Sequence, residues 1–430
     1  MLLERVVSCA TVCLRRLAQG SWSAQMRFWR FLANERVSVD KLIAGWSGQT
    51  RLAAAGRHVL AIQDTSEIKF ATTAGSRRGL GRIKKGNAYG VLLHAMMGVD
   101  ADSGAVLGLV GGQVWSRPGE VDSPHAERRL ADKESMRWIA TADAAKETLA
   151  AARLVTIIGD REGDFYAHWA LTPTDTVHLL TRLRDDHALL TGGTVRTALA
   201  DQPVAATAGL ELRDRADRPP RTAQLALRFV AVQLKRPKNT LEKDLPKSLP
   251  VQAVEIVEPH PPKGSEPVHW ILLTTHRIDS IAEAWQVVAW YRQRWLIEQF
   301  FRTLKRQGLQ IEDSQLASAD RLCKLVAIAA KAAAIVMQLL QARDGRGRQP
   351  ASLAFTPHEI TALAVLNQRL QGKIDRQKNP HPEASLSWAA WVIAKLGGWH
   401  EYEAKPPGPI TFHNGLTFFR TFAAGFALNL

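Results

Sequence analysis

The chain has 430 residues, of which 46% are hydrophobic and 23% are charged, a composition that excludes a disordered or fibrous chain and leaves room for more than one domain. Its 56 Lys and Arg residues outnumber 41 Asp and Glu residues, for a formal charge of +15, so its field attracts polyanions such as nucleic acid, although ribosome-associated and membrane-surface proteins share this property. Three cysteines without paired C-x-x-C spacing argue against a zinc site or a disulfide framework and fit a reducing cytosol.

The amino-terminal part predicts short helices over residues 1–50. Helical periodicity alternates there with polar breaks, and Ser38 stands where a capping residue would begin a helix. The first twenty residues carry charged side chains and never build the apolar centre of a secretory signal.

Two apolar strands are each predicted to end at an aspartate. The run from His58 to Gln63 is followed by Asp64, and the run RLVTIIG is followed by Asp160. Between them, VLLHAMMGV and AVLGLVGGQVW flank a turn-like DADSG segment and predict a β-hairpin. Strong helix formers at helical spacing then predict a helix over 132–152.

The second half predicts a β-rich insertion over about 185–275, a long helix from Ile281, a linker over 345–350 and a mostly helical tail. The most apolar stretch, Leu325 to Leu340, is interrupted by Lys331, which favours a buried core helix over a membrane span. This order predicts an α/β fold with a mixed sheet, matching the ribonuclease-H-like (retroviral-integrase-like) arrangement. We expect three parts: a helical segment 1–50, a catalytic domain 51–345 and a helical region 346–430.

The strand-end aspartates suggest metal-dependent phosphodiester chemistry. Two divalent cations about 3.5–4 Å apart can activate the nucleophile and stabilise the leaving oxygen, and Mg²⁺ needs only a few carboxylates that converge from different elements. Asp64 and Asp160 could supply two of them. Taken singly, however, a strand-end aspartate more often caps a turn or a helix.

Glu298 is the third candidate acid. Tyr291, Arg294, Glu298, Arg302 and Lys305 are spaced to lie on one face of the predicted long helix, while the intervening apolar residues would anchor that helix to a core. The alternative is a solvated charged face in which Glu298 pairs with Arg294 and Arg302.

These blocks together resemble the bacterial cut-and-paste DDE transposases of the IS-four insertion-sequence group, which includes the Tn-five transposase. The family's tyrosine, arginine, glutamate and lysine signature stands as Tyr291, Arg294, Glu298 and Lys305 within YRQRWLIEQFFRTLK. Further matching blocks are LAIQDTS, IIGDREGDFYAHW, PPKGSEPVHWILLT and SLSWAAWVIAKLGG, in the family's order, between about residues 20 and 400.

The resemblance implies a role for each matching residue. Asp64, Asp160 and Glu298 would hold two Mg²⁺ ions, or Mn²⁺ in their place, while Tyr291, Arg294 and Lys305 would bind phosphates beside the cut. Trp270 would stack on a base extruded when the DNA end closes into a hairpin, although without its matching block it would pass for an ordinary core aromatic. Further DNA contacts are implied for Arg182, Trp295 and Arg302.

The implied activity is cleavage at transposon ends, through a hairpin intermediate, followed by strand transfer into target DNA. The implied partners are double-stranded DNA and a second copy of the chain in the DNA complex, in the bacterial cytoplasm and without a membrane. Family members carry an additional amino-terminal stretch, so residues 1–50 are interpreted as a DNA-binding remnant and the carboxyl-terminal region as a dimerisation region. Two alternatives stay open: a truncated, non-catalytic DNA-binding or inhibitory derivative, and a ribonuclease-H-like nuclease that cuts without joining.

Overall fold

The computed structural model describes residues 1–71, 78–83, 88–117, 127–212, 220–305, 308–343, 345, 349–400 and 406–426. Residues 346–348 of the linker predicted over 345–350 lie outside these residues.

Five short helices form the amino-terminal part, as the sequence predicts. Ser38 caps the fourth of them, because its hydroxyl oxygen accepts a hydrogen bond from the Lys41 backbone N–H at 3.2 Å. The five are α1 (Leu2–Cys9), α2 (Leu14–Leu17), α3 (Trp22–Ala33), α4 (Val39–Ala44) and α5 (Gly48–Ala54).

A mixed sheet of ten strands is the centre of the described structure. The strands are β1 (His58–Lys69), β2 (Gly81–Arg82), β3 (Tyr89–Asp100), β4 (Val106–Trp115), β5 (Leu154–Gly159), β6 (Val177–Arg182), β7 (Ala206–Leu212), β8 (Arg221–Lys235), β9 (Ser248–Val257) and β10 (His269–Thr274). Their order across the sheet is β2-β3-β1-β5-β6-β10-β9-β8-β7, and β4 pairs with β3 outside this order. The pairs β1–β5 and β5–β6 are parallel, whereas the other pairs are antiparallel.

The mixed α/β prediction is therefore confirmed, as is the β3–β4 hairpin around residues 100–104. The segment predicted to be β-rich, 185–275, contains β7 to β10 and one short helix. Its strands continue the same sheet, because β10 pairs with β6.

The prediction that the first strand ends at Gln63 is wrong. Strand β1 continues through Asp64 to Lys69 because β3 pairs with it over that whole length, from Val59 opposite Asp100 to Lys69 opposite Gly90. Parallel pairing with β5 nevertheless stops at Ile62. Asp64 therefore lies beyond the end of the parallel ladder although it is inside a strand.

The helices after β4 cover both faces of the sheet. In β1, Leu60 and Ile62 belong to the same hydrophobic cluster as the long helix α11 (Ala319–Ala342). Val59 and Ala61 belong to a second cluster, with α6 (Met136–Thr148) and α7 (Tyr166–Leu171). This division follows from the alternation of side chains along a strand. The helices are α6 (Met136–Thr148), α7 (Tyr166–Leu171), α8 (Val195–Ala200), α9 (Ile281–Arg292), α10 (Trp295–Leu304), α11 (Ala319–Ala342), α12 (Pro357–Leu370), α13 (Leu386–Leu396) and α14 (Pro409–Phe426).

Two helix predictions need correction. The helix predicted over 132–152 is shorter, since a separate 3-10 turn, Leu130–Asp132, precedes α6. The long helix predicted from Ile281 is two helices, α9 (Ile281–Arg292) and α10 (Trp295–Leu304). Between them the Arg294 N–H donates to the Tyr291 carbonyl at 3.0 Å, and the Ile297 N–H donates to the Arg294 carbonyl at 3.2 Å. Hydrogen bonds three residues apart replace the α-helical spacing there.

Helix α11 is the one described helix long and apolar enough to cross a membrane by length and composition, and 94% of its most apolar window is buried inside the protein. Such burial is typical of a central core helix, as the sequence predicts for Leu325 to Leu340. The described part of the tail beyond residue 349 is mostly helical, also as predicted.

Candidate active site

The two candidate aspartates lie at the carboxyl end of neighbouring parallel strands. Asp160 follows the last residue of β5 directly, and Asp64 lies two residues past the last β1 residue that pairs with β5. Because the carboxyl ends of parallel strands meet at one edge of the ladder, the fold brings these two residues together although 96 positions separate them in the chain.

The Asp64 carboxyl group is in an unfavourable position for a negative charge. Its side chain is only 16% exposed, and burial, followed by the nearby charge of Asp160, raises its pKa to about 7. The Thr65 backbone N–H, at 2.7 Å from Oδ1, and the Arg294 guanidinium act in the opposite direction. The influence of Asp160 on this pKa is the electrostatic sign that two carboxylates converge here.

Asp160 also has the structural role that the alternative interpretation expected. Its Oδ1 accepts the Glu162 backbone N–H at 2.8 Å and so caps the 3-10 turn Arg161–Gly163. A capping role leaves Oδ2 available to a ligand, so the two roles do not exclude each other.

Arg294 lies between two of the three candidate acids. One of its terminal nitrogens forms a short hydrogen bond with Glu298 Oε1, and the other lies 3.4 Å from Asp64 Oδ2. The Arg294–Glu298 pair of the alternative interpretation is thus present. In the residues that the structure describes, no three His, Cys, Asp or Glu side chains are close enough together to hold a metal ion. Arg294 therefore connects Glu298 to Asp64.

The aromatic candidates Tyr291 and Trp270 contact each other beside these acids. Their rings meet edge to face, with centroids 5.6 Å apart and planes at 68°. Tyr291 is only 5% exposed, and burial raises its pKa to about 12. Tyr291 packs in the hydrophobic core and does not share a solvated helix face with the charged residues.

The basic candidates surround the same end of the sheet. Arg182, the last residue of β6, donates from Nη2 to the His269 carbonyl at 2.8 Å, next to Trp270. Lys305 donates to the Glu67 carbonyl, three residues beyond Asp64 on β1. On α10 the Arg302 guanidinium lies over the Trp295 ring, 4.9 Å from its centroid.

Sequence reasoning missed a set of polar residues directly behind the aspartates. Gln63 and His94 are fully buried, and they hydrogen-bond to each other at 3.1 Å, between Gln63 Oε1 and His94 Nε2. Arg137 and His168 complete the set. A signal was available in the sequence, since Gln63 and His94 interrupt otherwise apolar strands, and a buried polar side chain requires a partner.

Comparison with known proteins gives two findings. The chain is similar in structure to piggyBac transposase, in a cryo-EM structure of its synaptic complex with hairpin DNA, at a TM-score of 0.33 and 12% sequence identity, and the match covers 75% of this chain and 56% of that one. So low a TM-score establishes neither a shared arrangement in detail nor a shared activity. Residues 57–335, which include every candidate site residue above, match the transposase DDE domain. The match spans more than half of the chain, and the protein therefore belongs to the transposase DDE domain family.

Proposed function

We propose that this protein is a DNA transposase of the IS-four type, which cleaves DNA at transposon ends in a metal-dependent reaction and transfers the freed ends to target DNA. The ten-stranded sheet would be its ribonuclease-H-like core. The observation that carries the proposal is the convergence of Asp64 and Asp160 at the carboxyl end of the parallel strands, within the residues that match the family.

The site chemistry fits a hard divalent cation. Carboxylate oxygens are the ligands that Mg²⁺ prefers, and a bound cation would offset the burial and the nearby Asp160 charge that raise the pKa of Asp64. Asp64, Asp160 and Glu298 would hold two Mg²⁺ ions, or Mn²⁺ in their place. Bound ions would supply charge stabilisation at phosphorus and an activated water.

Arg294 would have two successive roles. In the structure its guanidinium offsets the charges of Asp64 and Glu298. Because a guanidinium fork also matches two phosphate oxygens, Arg294 would turn to a DNA phosphate and leave Glu298 free to join the aspartates.

The residues around the acids would bind the DNA end. Lys305 and Tyr291 would contact phosphates, and Arg182, Trp295 and Arg302 would make further contacts with the DNA. Trp270 is half-buried and rests against Tyr291, so its ring is held in one orientation on which an extruded base could stack. A hairpin intermediate would need such a platform, because closing the DNA end costs base stacking.

Regions outside the catalytic domain would contact DNA and a second subunit. Helix α3 exposes Arg27 and Arg30, and Trp22 beside them is 71% exposed, a pattern suited to a nucleic-acid backbone. Helix α14 exposes Ile410 and Phe418, at 77% and 56%. Large apolar side chains in water favour burial against a partner, and we propose a homodimer in the DNA complex.

The proposal is tested by incubating the protein with double-stranded DNA that carries the ends flanking its gene, in Mg²⁺ or Mn²⁺, and resolving the products by denaturing electrophoresis. We expect Glu298→Gln to abolish cleavage and leave DNA binding intact. Glu147→Gln, at an exposed helical position in α6, is the matched control. Unchanged cleavage by Glu298→Gln would contradict the assignment. Precut ends separate a transposase, which joins them to target DNA, from a nuclease, which does not.

The stacking role has its own test. Trp270→Ala should slow hairpin formation more than the first nick, because only the hairpin requires an extruded base. Equal slowing of both steps would rule out the stacking role.

A further inference from the structure

The two neighbours of Asp64 are joined by one buried histidine. Gln63 and Thr65 point to the face of β1 opposite Asp64, by the alternation of the strand. The His94 ring on β3 hydrogen-bonds to both: Nδ1 to the Thr65 hydroxyl at 2.8 Å and Nε2 to Gln63 Oε1 at 3.1 Å. The backbone on each side of Asp64 is thereby tied to the same ring.

From Thr65 the polar contacts continue to the turn that carries Asp160. Arg137 Nε donates to the Thr65 hydroxyl oxygen at 2.9 Å, and Arg137 Nη2 pairs with Glu162 Oε2 at 2.8 Å. Glu162 is the residue whose backbone N–H binds the Asp160 carboxylate. One arginine thus connects the strand of one aspartate to the turn of the other.

From Gln63 the contacts return to the same turn by a second route. Gln63 Nε2 lies 3.5 Å from His168 Nε2, and His168 Nδ1 lies 2.8 Å from the carbonyl oxygen of Gly163, the last residue of the turn. The hydrogen bonds form a closed circuit that leaves the turn at Glu162 and re-enters it at Gly163.

The donors and acceptors of this circuit admit one direction. The Gly163 carbonyl can only accept, so His168 donates to it from Nδ1, and the Nε2 of a neutral His168 accepts from Gln63 Nε2. Gln63 Oε1 accepts from His94 Nε2, which leaves Nδ1 of a neutral His94 to accept from the Thr65 hydroxyl, whose oxygen accepts from Arg137. This order requires both histidines to be neutral. Burial lowers the pKa of His94 well below its usual value and that of His168 to about 4.

The circuit is enclosed by close packing. The fully buried Trp138 ring lies edge-on to His94, with centroids 4.9 Å apart. A Cβ on Gly159 or Gly163 would approach that ring to 3.0 and 3.2 Å, so the chain on either side of Asp160 fits closely against it. A hydrogen-bond circuit in so rigid a setting holds geometry rather than merely filling space.

We propose that Thr65, His94 and Arg137, with Gln63 and His168, are positioning residues that fix Asp64 and Asp160 at the separation needed to share a metal ion. The proposal rests on the proposed function, because it requires the two aspartates to bind a metal. These residues touch neither the substrate nor the metal; they act by holding the backbone that carries the two carboxylates.

The decisive variant is Thr65→Val, which keeps the shape of the side chain and removes the hydroxyl between His94 and Arg137. Thr156→Val is a matched control, since the buried Thr156 hydroxyl lies between two other histidines, 2.8 Å from His58 Nε2 and 2.7 Å from His276 Nε2, at the opposite end of the parallel strands. Thr65→Ser keeps the hydroxyl and is the rescue variant. The readout is the dissociation constant of Mn²⁺ for the full chain without DNA, measured by electron paramagnetic resonance of the free ion.

We expect Thr65→Val to weaken Mn²⁺ binding by about tenfold, and Thr65→Ser and Thr156→Val to change it by less than about twofold. Arg137→Lys keeps the positive charge but cannot bridge Thr65 and Glu162, so it should weaken binding as Thr65→Val does, and it serves if the valine variant does not fold. Wild-type affinity in both Thr65→Val and Arg137→Lys, or equal weakening by Thr156→Val, would overturn the positioning role. That result leaves the proposed function standing if wild-type protein binds Mn²⁺ and Asp64→Asn does not. Wild-type protein that binds no Mn²⁺, either alone or with transposon-end DNA bound, would overturn both.

Discussion

Two aspartates on the paired strands β1 and β3 have opposite surroundings: Asp100 lies at one end of the ladder, and Asp64 lies at its centre, opposite Ala95. Asp100, opposite Val59, has a side chain only 3% exposed. Its carboxylate accepts backbone N–H groups of Asp102 and Ser103, both at 3.0 Å, and pairs with Arg57. Burial raises its pKa, but hydrogen bonds from Ser103, Arg57 and Asp102 outweigh this and hold the pKa below its usual value.

The partners of Asp64 are weaker than those of Asp100. Asp64 receives the N–H of its own neighbour Thr65 and a long contact from Arg294, and the pKa stays raised at about 7. The Asp100 carboxylate thus has hydrogen-bond partners for its charge within the chain, and that charge stabilises a turn. The Asp64 and Asp160 carboxyl groups have weaker partners within the protein, and such a pair of acids is suited to a ligand that brings positive charge.

The largest expected difference between the two aspartates is in catalysis. Asp64→Asn should reduce cleavage by about 1,000-fold or more, because a metal ligand is lost and several kcal/mol of transition-state stabilisation go with it. Asp100→Asn should leave cleavage within a few-fold of wild type. Rates from denaturing gels with labelled DNA ends measure both, and comparable loss in the two variants would remove the distinction.

Stability should show the reverse order. Asp100→Ala should lower the free energy of unfolding by about 2–3 kcal/mol, because two backbone N–H groups and Arg57 lose their acceptor. Asp64→Ala in metal-free protein should cost much less. Urea denaturation followed by tryptophan fluorescence gives the values, with Asp102→Ala, at an exposed position in the same turn, as control. A larger loss at Asp64 than at Asp100 would contradict the account.

The smallest expected effect is the pH dependence of metal-free stability. The unfolded chain releases the Asp64 proton near pH 4, whereas the folded protein keeps it up to about pH 7. The Asp64 contribution to stability therefore falls as pH rises through this window and is constant above it. Asp64→Asn removes the penalty and should be more stable than wild type by about 1–3 kcal/mol at pH 8, and no more stable at pH 4.

The Asp100→Asn variant should show the opposite sign. Because the pKa of Asp100 is lowered in the folded protein, its ionised side chain stabilises the fold above about pH 4 and ceases to do so in more acidic solution. Unfolding free energies measured between about pH 2 and about pH 8 check both variants, since the Asp100 contribution is lost below about pH 4 and the Asp64 contribution changes between about pH 4 and about pH 7. A difference between wild type and Asp64→Asn that does not change with pH would argue against a raised pKa.

The sequence was sufficient for what depends on local pattern. Apolar runs and their ends located β1, β5 and the β3–β4 hairpin, and Asp64 and Asp160 could be singled out because each follows an apolar run. It was insufficient where long-range pairing decides: the polar residues after Asp64 give no strand signal of their own, and β1 continues there only because β3 pairs with it.

The same limit applies to the site. The break between α9 and α10 falls at Gln293 and Arg294, where the sequence has neither Gly nor Pro. The sequence therefore predicts a single helix. The position of Arg294 between two acids, and the circuit through His94, depend on contacts between residues far apart in the chain. Spacing alone does not reveal such contacts.

The central claim is that Asp64, Asp160 and Glu298 converge on divalent cations when DNA is bound. The most direct measurement is anomalous scattering from crystals of the protein with Mn²⁺ and transposon-end DNA. The account predicts Mn²⁺ peaks within about 2.0–2.4 Å of carboxylate oxygens of Asp64 and Asp160, with Glu298 released from Arg294 and turned towards them. Ordered DNA with Mn²⁺ bound elsewhere, or with Glu298 still paired to Arg294, would contradict it.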